Sequence, residues 1–353
     1  MMMVKHDIPQ PNNFNIIRLL LAVLVFLSHF FSLAGQHNGV MIIDAPDMVR
    51  GFFVISGFLI YSSYCRSNTL KSYFIKRARR ILPSYIFVVL LCAFGLVFVS
   101  TLPASEYFGT DWLKYLFANL TFANFAHPTL PGVFADNYHT AVNGSLWSIK
   151  VEIMVYLALP LLVYMCKKLK ANHNVFFIIV ILLSIVYTFI CDTMYSNTGE
   201  GKYLIYARQI GGQLAYFVFG MMLYELLDLI LKHKIKIFSI GVGAIVVAYL
   251  IPEIAFLIKP MALAFIIIPA VFMGRWGQWL KSVDISYELY LAHFPIIQII
   301  VSCGIVNSIG FFPSLLLALI ASVVISLFCW HLVGKRFLRR SNRVEIKDST
   351  GQK

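Results

Sequence analysis

The stretch IIRLLLAVLVFLSHFF, residues 16–31, combines the hydropathy of a membrane-spanning helix with two ionisable side chains. A spanning α-helix needs about 20 mostly apolar residues, and the surrounding run 14–33 has that length. Arg18 lies near its start and His29 near its end. Ionisable groups are costly in hydrocarbon and usually mark a pathway or a site. The stretch therefore predicts a membrane helix that carries part of a functional site.

The composition of the whole chain supports a membrane protein. The 353 residues are 59% hydrophobic and 13% charged, with a mean hydropathy of +0.79, which excludes an ordinary soluble domain. The net charge of +13 does not indicate nucleic acid, because the basic residues lie in short clusters between apolar runs, as topology signals do. The six cysteines are scattered without metal-ligand spacing, so we expect neither a metal nor disulfides.

Apolar runs along the chain predict an all-α, polytopic integral membrane protein with about ten transmembrane helices. Pro252 makes the boundary between the seventh and eighth runs the least definite. We divide the chain into a membrane domain, residues 1–340, and a basic, polar cytoplasmic tail, residues 341–353. The predicted spans are 14–33, 51–65, 81–101, 147–166, 175–192, 207–228, 236–252, 254–274, 286–304 and 311–331.

The placement of Lys and Arg predicts the orientation. With ten spans and a cytoplasmic amino terminus, the outer loops hold little basic charge beyond Lys114, Lys202 and Lys259. Cytoplasmic loops carry the excess of Lys and Arg in membrane proteins, so both termini are expected in the cytoplasm. The predicted inner basic residues are Arg66, Lys71, Lys76, Arg77, Arg79, Arg80, Lys167, Lys168, Lys170, Lys232, Lys234, Lys236, Arg275, Lys281, Lys335, Arg336, Arg339, Arg340 and Arg343.

Arg18 and His29 are predicted to share one face of the first helix. Eleven positions correspond to about 16 Å along the axis and leave the two residues roughly 20° from alignment. A guanidinium can hold a phosphate, and an imidazole can move a proton near neutral pH. Two simpler interpretations stay open: Arg18 as an interfacial arginine that sets orientation, and His29 as a structural hydrogen-bonding group between helices.

The fourth predicted span also carries a carboxylate. Trp147 is expected at the membrane interface, and Glu152 lies five residues further, about 7 Å deeper. Lys150 cannot pair with it directly, because residues two apart on a helix do not face each other. We therefore expect a partner on another helix, with His29 as a candidate, since a carboxylate that orients an imidazole is a recurrent acid/base arrangement.

Three further motifs have both a functional and a structural interpretation. Tyr287, Tyr290 and His293, spaced by three, form either a hydrogen-bonding ladder or part of a catalytic site. Arg77 and Arg80 have a spacing suited to a phosphate, although topology alone explains much of their basic cluster. The small residues in FFVISGFLI, 52–60, together with the preceding Gly51, predict close packing of the second helix against a neighbour.

Five blocks in this order resemble acyltransferase family 3, the integral-membrane O-acyltransferases that modify bacterial surface carbohydrates. The blocks are Arg18 with His29, FFVISGFLI (52–60), KRARRILP (76–83), SLWSIKVEIMVYLALP (145–160) and SYELYLAHFPI (286–296). The resemblance implies a multi-pass protein of the bacterial inner membrane. It implies transfer of an acyl group, usually acetyl, from cytoplasmic acyl-CoA to a sugar hydroxyl at the outer face, for example of O-antigen or exopolysaccharide.

The resemblance implies that Arg18, His29, Arg77 and Arg80 serve the activity, and the chemistry of the residues suggests a role for each. Arg18, Arg77 and Arg80, with Arg79 as a less definite member, would bind the phosphates of acetyl-CoA. His29, oriented by Glu152, would deprotonate the acceptor hydroxyl, and the loop 102–146 would receive the sugar. Trp147, Tyr287 and His293 would support the substrate or the site, and the partners would be membrane lipid, acyl-CoA and carbohydrate.

Two other classes of membrane protein are weighed against this hypothesis. A proton-coupled transporter or sugar exporter would use His29, Glu152 and His293 as a relay. It would need paired halves with broken helices, which the sequence does not indicate. A polysaccharide polymerase or ligase would be expected to concentrate arginines in its outer loops, whereas the basic clusters here are predicted to be inner.

Overall fold

The structure is a computed structural model of the chain and describes residues 6–35, 44–274, 277 and 284–338. The predicted tail, residues 341–353, lies outside the described residues. The same is true of five predicted inner basic residues, Arg275, Lys281, Arg339, Arg340 and Arg343.

All regular secondary structure in the described ranges is helical. Short 3₁₀ turns precede or follow some helices, and α14 continues through a π-helical turn, Trp330–Gly334, to Leu338. The α-helices are α1 (Phe14–Leu33), α2 (Ala45–Arg66), α3 (Leu70–Gly95), α4 (Ala104–Tyr107), α5 (Thr110–Leu120), α6 (Trp147–Lys168), α7 (His173–Thr198), α8 (Lys202–Ala207), α9 (Ile210–Glu225), α10 (Leu227–Leu250), α11 (Ala255–Val271), α12 (Ser286–Ser302), α13 (Ile305–Ile309) and α14 (Phe311–Cys329).

Seven helices of the described chain have the length and hydropathy needed to cross a membrane, or up to eight if a bent pair forms one span. The prediction of an all-α, multi-pass membrane protein is confirmed. The number ten is only approximate, although each predicted run overlaps a helix. One reason is that α12 has 17 residues, which is about 26 Å and less than the roughly 30 Å of hydrocarbon.

The second reason is a break between α9 and α10. The segments Lys202–Glu225 and Leu227–Leu250 are bent by 112°, and Leu226 between them has non-helical torsions, φ −98° and ψ 21°. A further kink lies inside α10 at His233. The sequence predicts a boundary between the spans 207–228 and 236–252 but no sharp bend, and the structure places the break slightly earlier, at Leu226.

The chain divides into two units, and α1, α3 and α6 each contribute residues to both. The first unit comprises Met1–Leu21, Pro46–Tyr73 and Val151–Ser282. In it α2 and α9 pack backbone to backbone: a Cβ added to Gly57 would lie 1.9 Å from the Phe217 carbonyl oxygen. A Cβ added to Gly220 would lie 2.1 Å from the carbonyl oxygen of Val54. This confirms the predicted close packing of α2 at Gly57.

The second unit comprises Ala22–Ala45, Phe74–Lys150 and Val283–Lys353. Its apolar core forms where α1, α12 and α14 meet, around Phe26, Phe30 and Ile297. The connection 102–146 folds onto α3, where the Trp112 indole and the Tyr107 hydroxyl both donate to the Ala93 carbonyl, at 2.7 and 2.9 Å. Phe26 and Phe294 of this core contact the side chains of the candidate site.

Candidate functional site

The second unit brings together two histidines of the predicted site. His29 Nδ1 on α1 lies 2.8 Å from His293 Nε2 on α12. The two rings are nearly coplanar and meet edge to edge, with centroids 5.1 Å apart and an angle of 7° between their planes. His293 is completely buried, and the rings of Phe26 and Phe294 contact the pair at their edges. Aromatic packing therefore holds both imidazoles in one orientation.

The hydrogen bonds of His293 determine the tautomer of the pair. His293 Nδ1 lies 3.0 Å from the Leu289 carbonyl oxygen, which can only accept. In a neutral ring Nδ1 of His293 therefore carries the proton, and Nε2 is an acceptor. His29 then donates from Nδ1, and its Nε2 is the basic nitrogen. The arrangement therefore orients His29 as a proton acceptor.

A segment preceding α6, which we call the strap (residues 137–146), runs along α12 beside this pair. The buried Gln298 amide accepts from Asn137 Nδ2 at 2.9 Å and donates to the Ala141 carbonyl at 2.9 Å. Asn143 Nδ2 donates to the Leu291 carbonyl at 2.8 Å, which attaches the strap a second time. Ser145 Oγ then reaches to 3.4 Å from His293 Nε2. The strap thus adds a hydroxyl to the histidine pair.

Tyr290 and Tyr287 have different neighbours within the second unit. The Tyr290 hydroxyl lies 2.6 Å from Ser148 Oγ and donates to the Ser145 carbonyl, so it fastens the start of α6 beside His293. The Tyr287 hydroxyl donates instead to the Ile81 carbonyl of α3 at 3.2 Å. Trp147 is the first residue of α6 and is half-buried. These contacts place Tyr290 next to the histidine pair and Tyr287 against α3.

The three arginines of the basic cluster lie on α3 and differ in their surroundings. Arg80 Nη2 forms an ion pair with Asp284 at 2.7 Å. Ser84, one turn later, donates to the buried Glu288 carboxylate at 2.8 Å. Arg77 is half-buried, and Arg79 lines an apolar groove on the surface of α3. A phosphate that binds Arg80 must share the guanidinium with Asp284 or replace it.

Glu152 and Arg18 belong to the first unit. The Glu152 carboxylate accepts from Ser56 Oγ at 3.4 Å and from the Tyr156 hydroxyl. The Tyr156 carbonyl in turn accepts from Tyr73 at 3.1 Å. This polar cluster lies inside apolar helices, where such groups must be hydrogen-bonded. Arg18 is half-buried on α1.

The structure therefore brings His29, His293 and Tyr290 together in one unit and the three arginines onto one helix. The predicted pairing of Glu152 with His29, and the grouping of Arg18 with Arg77 and Arg80, stay predictions. Among the described residues, no group of three or more His, Cys, Asp or Glu side chains is arranged to hold a metal ion.

The sequence analysis missed four polar residues of the second unit, Ser145, Asp284, Glu288 and Gln298. Glu288 could have been found from the sequence, because a carboxylate in a predicted span is by default a candidate functional residue. Gln298 and Ser145 are common residue types, and nothing in their local sequence indicates a partner. Asp284 lies just before α12, and its pairing with Arg80 joins positions 204 apart in the chain.

Comparison with known proteins yields one family and two relatives. The profile of a family described as an acyltransferase domain matches residues 12–331. An O-acetyl transferase of Shigella phage Sf6 is 25% identical over 94% of this chain and 97% of its own length. Nodulation protein 10 of Rhizobium leguminosarum bv. viciae is 30% identical over 47% of this chain and 48% of its own. No solved structure matches the chain.

Proposed function

Because the chain belongs to the acyltransferase domain family, we propose that it is a membrane O-acyltransferase that transfers an acetyl group from acyl-CoA to a hydroxyl of a cell-surface carbohydrate. The similarity to an O-acetyl transferase over almost the whole length supports the acetyl group and the oxygen acceptor. The observation that carries the proposal is the oriented pair of His29 and His293.

The proposed chemistry is a direct transfer with His29 as general base. His29 Nε2 takes the proton of the acceptor hydroxyl while the oxygen attacks the thioester carbonyl carbon. The carbon–sulfur bond then breaks, and the leaving thiolate takes the proton back from the imidazolium. His293 accepts the hydrogen bond from His29 Nδ1 throughout, and Glu152 is proposed to stabilise the imidazolium charge. A positioned base of this kind contributes about 10²–10⁴-fold to the rate.

The donor is proposed to be acetyl-CoA, bound from the cytoplasm. Arg18, Arg77 and Arg80 are the proposed phosphate ligands, since planar guanidinium groups bind phosphate through two parallel hydrogen bonds. The Arg80–Asp284 ion pair supports this role, because it keeps the Arg80 guanidinium in place between turnovers.

The acceptor is proposed to bind at the strap, on the side of the membrane opposite to the donor. Tyr138 is 68% exposed there, and its ring packs edge-on against His139. An exposed aromatic ring beside polar groups suits a sugar, which has both apolar faces and hydroxyls. O-antigen and exopolysaccharide units are the proposed substrates, and the bacterial inner membrane is the proposed location.

A sugar exporter is the alternative proposal, and the bent pair α9–α10 is the observation that favours it. Transporters of this kind use broken helices in pairs related by an internal repeat. Among the described residues, one pair of long apolar helices, Lys202–Glu225 and Leu227–Leu250, is bent in this way. An exporter would move the glycan without changing its mass, so a mass measurement separates the two functions.

The test is to delete the gene in the source bacterium and to compare surface glycans by mass spectrometry. The deletion strain should lose one acetyl increment on a glycan, and the wild-type gene should restore it. His29→Ala, present in the membrane at the wild-type level, should restore none. His233→Ala serves as the matched control, because His233 lies at the exposed kink of α10. Restored acetylation by His29→Ala would contradict the base assignment, and unchanged glycans in the deletion strain would contradict the function.

A further inference from the structure

A groove on the surface of the second unit is not used by the proposed function. Ala78, Leu82, Ile86 and Leu90 line it at intervals of four residues along α3, and the continuation of α14 after Cys329 forms the other side. The groove has a volume of about 520 Å³ and is open along one side. This volume is comparable to that of ordinary small-ligand sites, about 300–1,000 Å³.

Two local features shape the groove. Pro83 lies inside α3 and has no N–H for the carbonyl of Arg79, four residues earlier, which disturbs the helix at this point. On the other side, a Cβ on Gly334 would lie 2.5 Å from a Glu288 carboxylate oxygen, so the π-helical turn packs directly against α12. Val333 and Phe337 next to this contact form the second wall of the groove.

The charge of the groove is at one end. Among the described residues that line it, Arg79 carries the single charge and the others are apolar. Eleven residues separate Arg79 from Leu90, which is about 16 Å along the helix. Half of a hydrocarbon core of about 30 Å is roughly 15 Å. The groove therefore has one guanidinium followed by apolar lining over the depth of a single leaflet.

Because the length and charge of the groove match those of a lipid in one leaflet, we propose that the groove binds one anionic glycerophospholipid. Its phosphate would accept hydrogen bonds from the Arg79 guanidinium, and one acyl chain would lie along Leu82 and Ile86 toward Leu90. An anionic headgroup is favoured because Arg79 lies in the basic run of residues 76–80. The proposal removes Arg79 from the expected acetyl-CoA ligands, and it does not depend on the proposed acetyl transfer.

The test measures lipid retention by the purified full-length protein. The protein in mild detergent is incubated with palmitoyl-oleoyl-phosphatidylglycerol or the corresponding phosphatidylcholine, and bound lipid is counted by native mass spectrometry. We expect one retained phosphatidylglycerol and little phosphatidylcholine. Arg79→Gln should weaken retention about tenfold or more, since hydrogen bonds to charged groups have that strength. Ile86→Trp should also weaken it, because the indole fills the groove while Arg79 is intact.

Arg336→Gln is the matched control, because Arg336 is an exposed arginine next in sequence to Phe337 of the groove and does not itself line the groove. This variant should retain phosphatidylglycerol like the wild type. Equal retention by Arg79→Gln, or equal retention of both lipids, would overturn the proposal. Displacement of the lipid by acetyl-CoA would return Arg79 to the donor site and would overturn it as well.

Discussion

At the scale of single residues, the two ring nitrogens of His29 have different roles. Nδ1 donates to His293, whose own Nδ1 is held by the Leu289 carbonyl, and Nε2 is the proposed base. The Leu289 carbonyl fixes the proton on His293 Nδ1, and the hydrogen bond between His293 Nε2 and His29 Nδ1 passes this asymmetry to His29. Two adjacent imidazoles without such an anchor could exchange tautomers. His293 is therefore a positioning residue, which acts on the reaction through His29.

Replacing His293 with Ala should lower kcat for acetyl transfer about 10–100-fold, the usual effect of losing a group that orients a functional histidine. The KM for acetyl-CoA should stay unchanged, because His293 is not a proposed donor ligand. His293→Gln should recover part of kcat, since its amide oxygen can accept from His29 Nδ1. Initial rates in membrane vesicles measure both constants. A wild-type kcat for His293→Ala would show that the pair is only structural.

At the scale of elements, the contact of α2 with α9 depends on residues that lack a Cβ. Gly57 and Gly220 approach the opposite backbone so closely that any side chain would collide with a carbonyl group. Backbones cannot move aside as flexible side chains do, so an added methyl must separate the helices. In membranes such close approach is a main source of helix association.

We expect Gly57→Ala to reduce the free energy of unfolding by about 1–3 kcal/mol, the usual cost of overpacking. The apparent melting temperature in detergent should fall correspondingly. Gly243→Ala in α10 is the control, since no atom lies within 4 Å of its added Cβ. Alanine is the better helix former by about 0.5–1 kcal/mol, so the control should melt at the same or a higher temperature. If both variants melt alike, the packing argument for Gly57 fails.

At the scale of the whole molecule, the distribution of basic residues predicts how the chain crosses the membrane. The loops and termini assigned to the cytoplasm hold most of the Lys and Arg, while the connection 102–146 holds Lys114. This bias sets orientation because basic loops are retained on the cytoplasmic side. The proposed reaction needs this orientation, since acetyl-CoA is cytoplasmic and the proposed glycan acceptor is on the other side.

Reporter fusions test this orientation. A green fluorescent protein fused after Lys353 should fluoresce, and alkaline phosphatase fused after Leu130 should be active. Phosphatase fused after Lys168 should be inactive, which provides the internal control. Fluorescence would be absent and the two phosphatase results exchanged if the termini were outside.

The positions of the helices were largely predictable from the sequence, whereas the number of helices that cross the membrane was not. Hydropathy indicates where a helix passes through lipid, and all ten predicted runs overlap helices. It does not indicate a bend of 112°, because the Leu226 break contains neither Pro nor Gly and its torsions depend on packing. The length of α12 was also overestimated, because the apolar run continues to residue 304 whereas the helix ends at Ser302.

The sequence by itself determined the class of the protein, its membrane helices and the residue types of the candidate site, because hydropathy, charge and spacing are local properties of a chain. Only the tertiary structure decided that His29 meets His293, 264 positions away, and that Arg80 meets Asp284. A polar side chain in an apolar helix requires a partner, but the packing of the helices decides which residue it is. The same packing leaves Arg79 at the end of an apolar groove, which neither its charge nor its place in the sequence indicated.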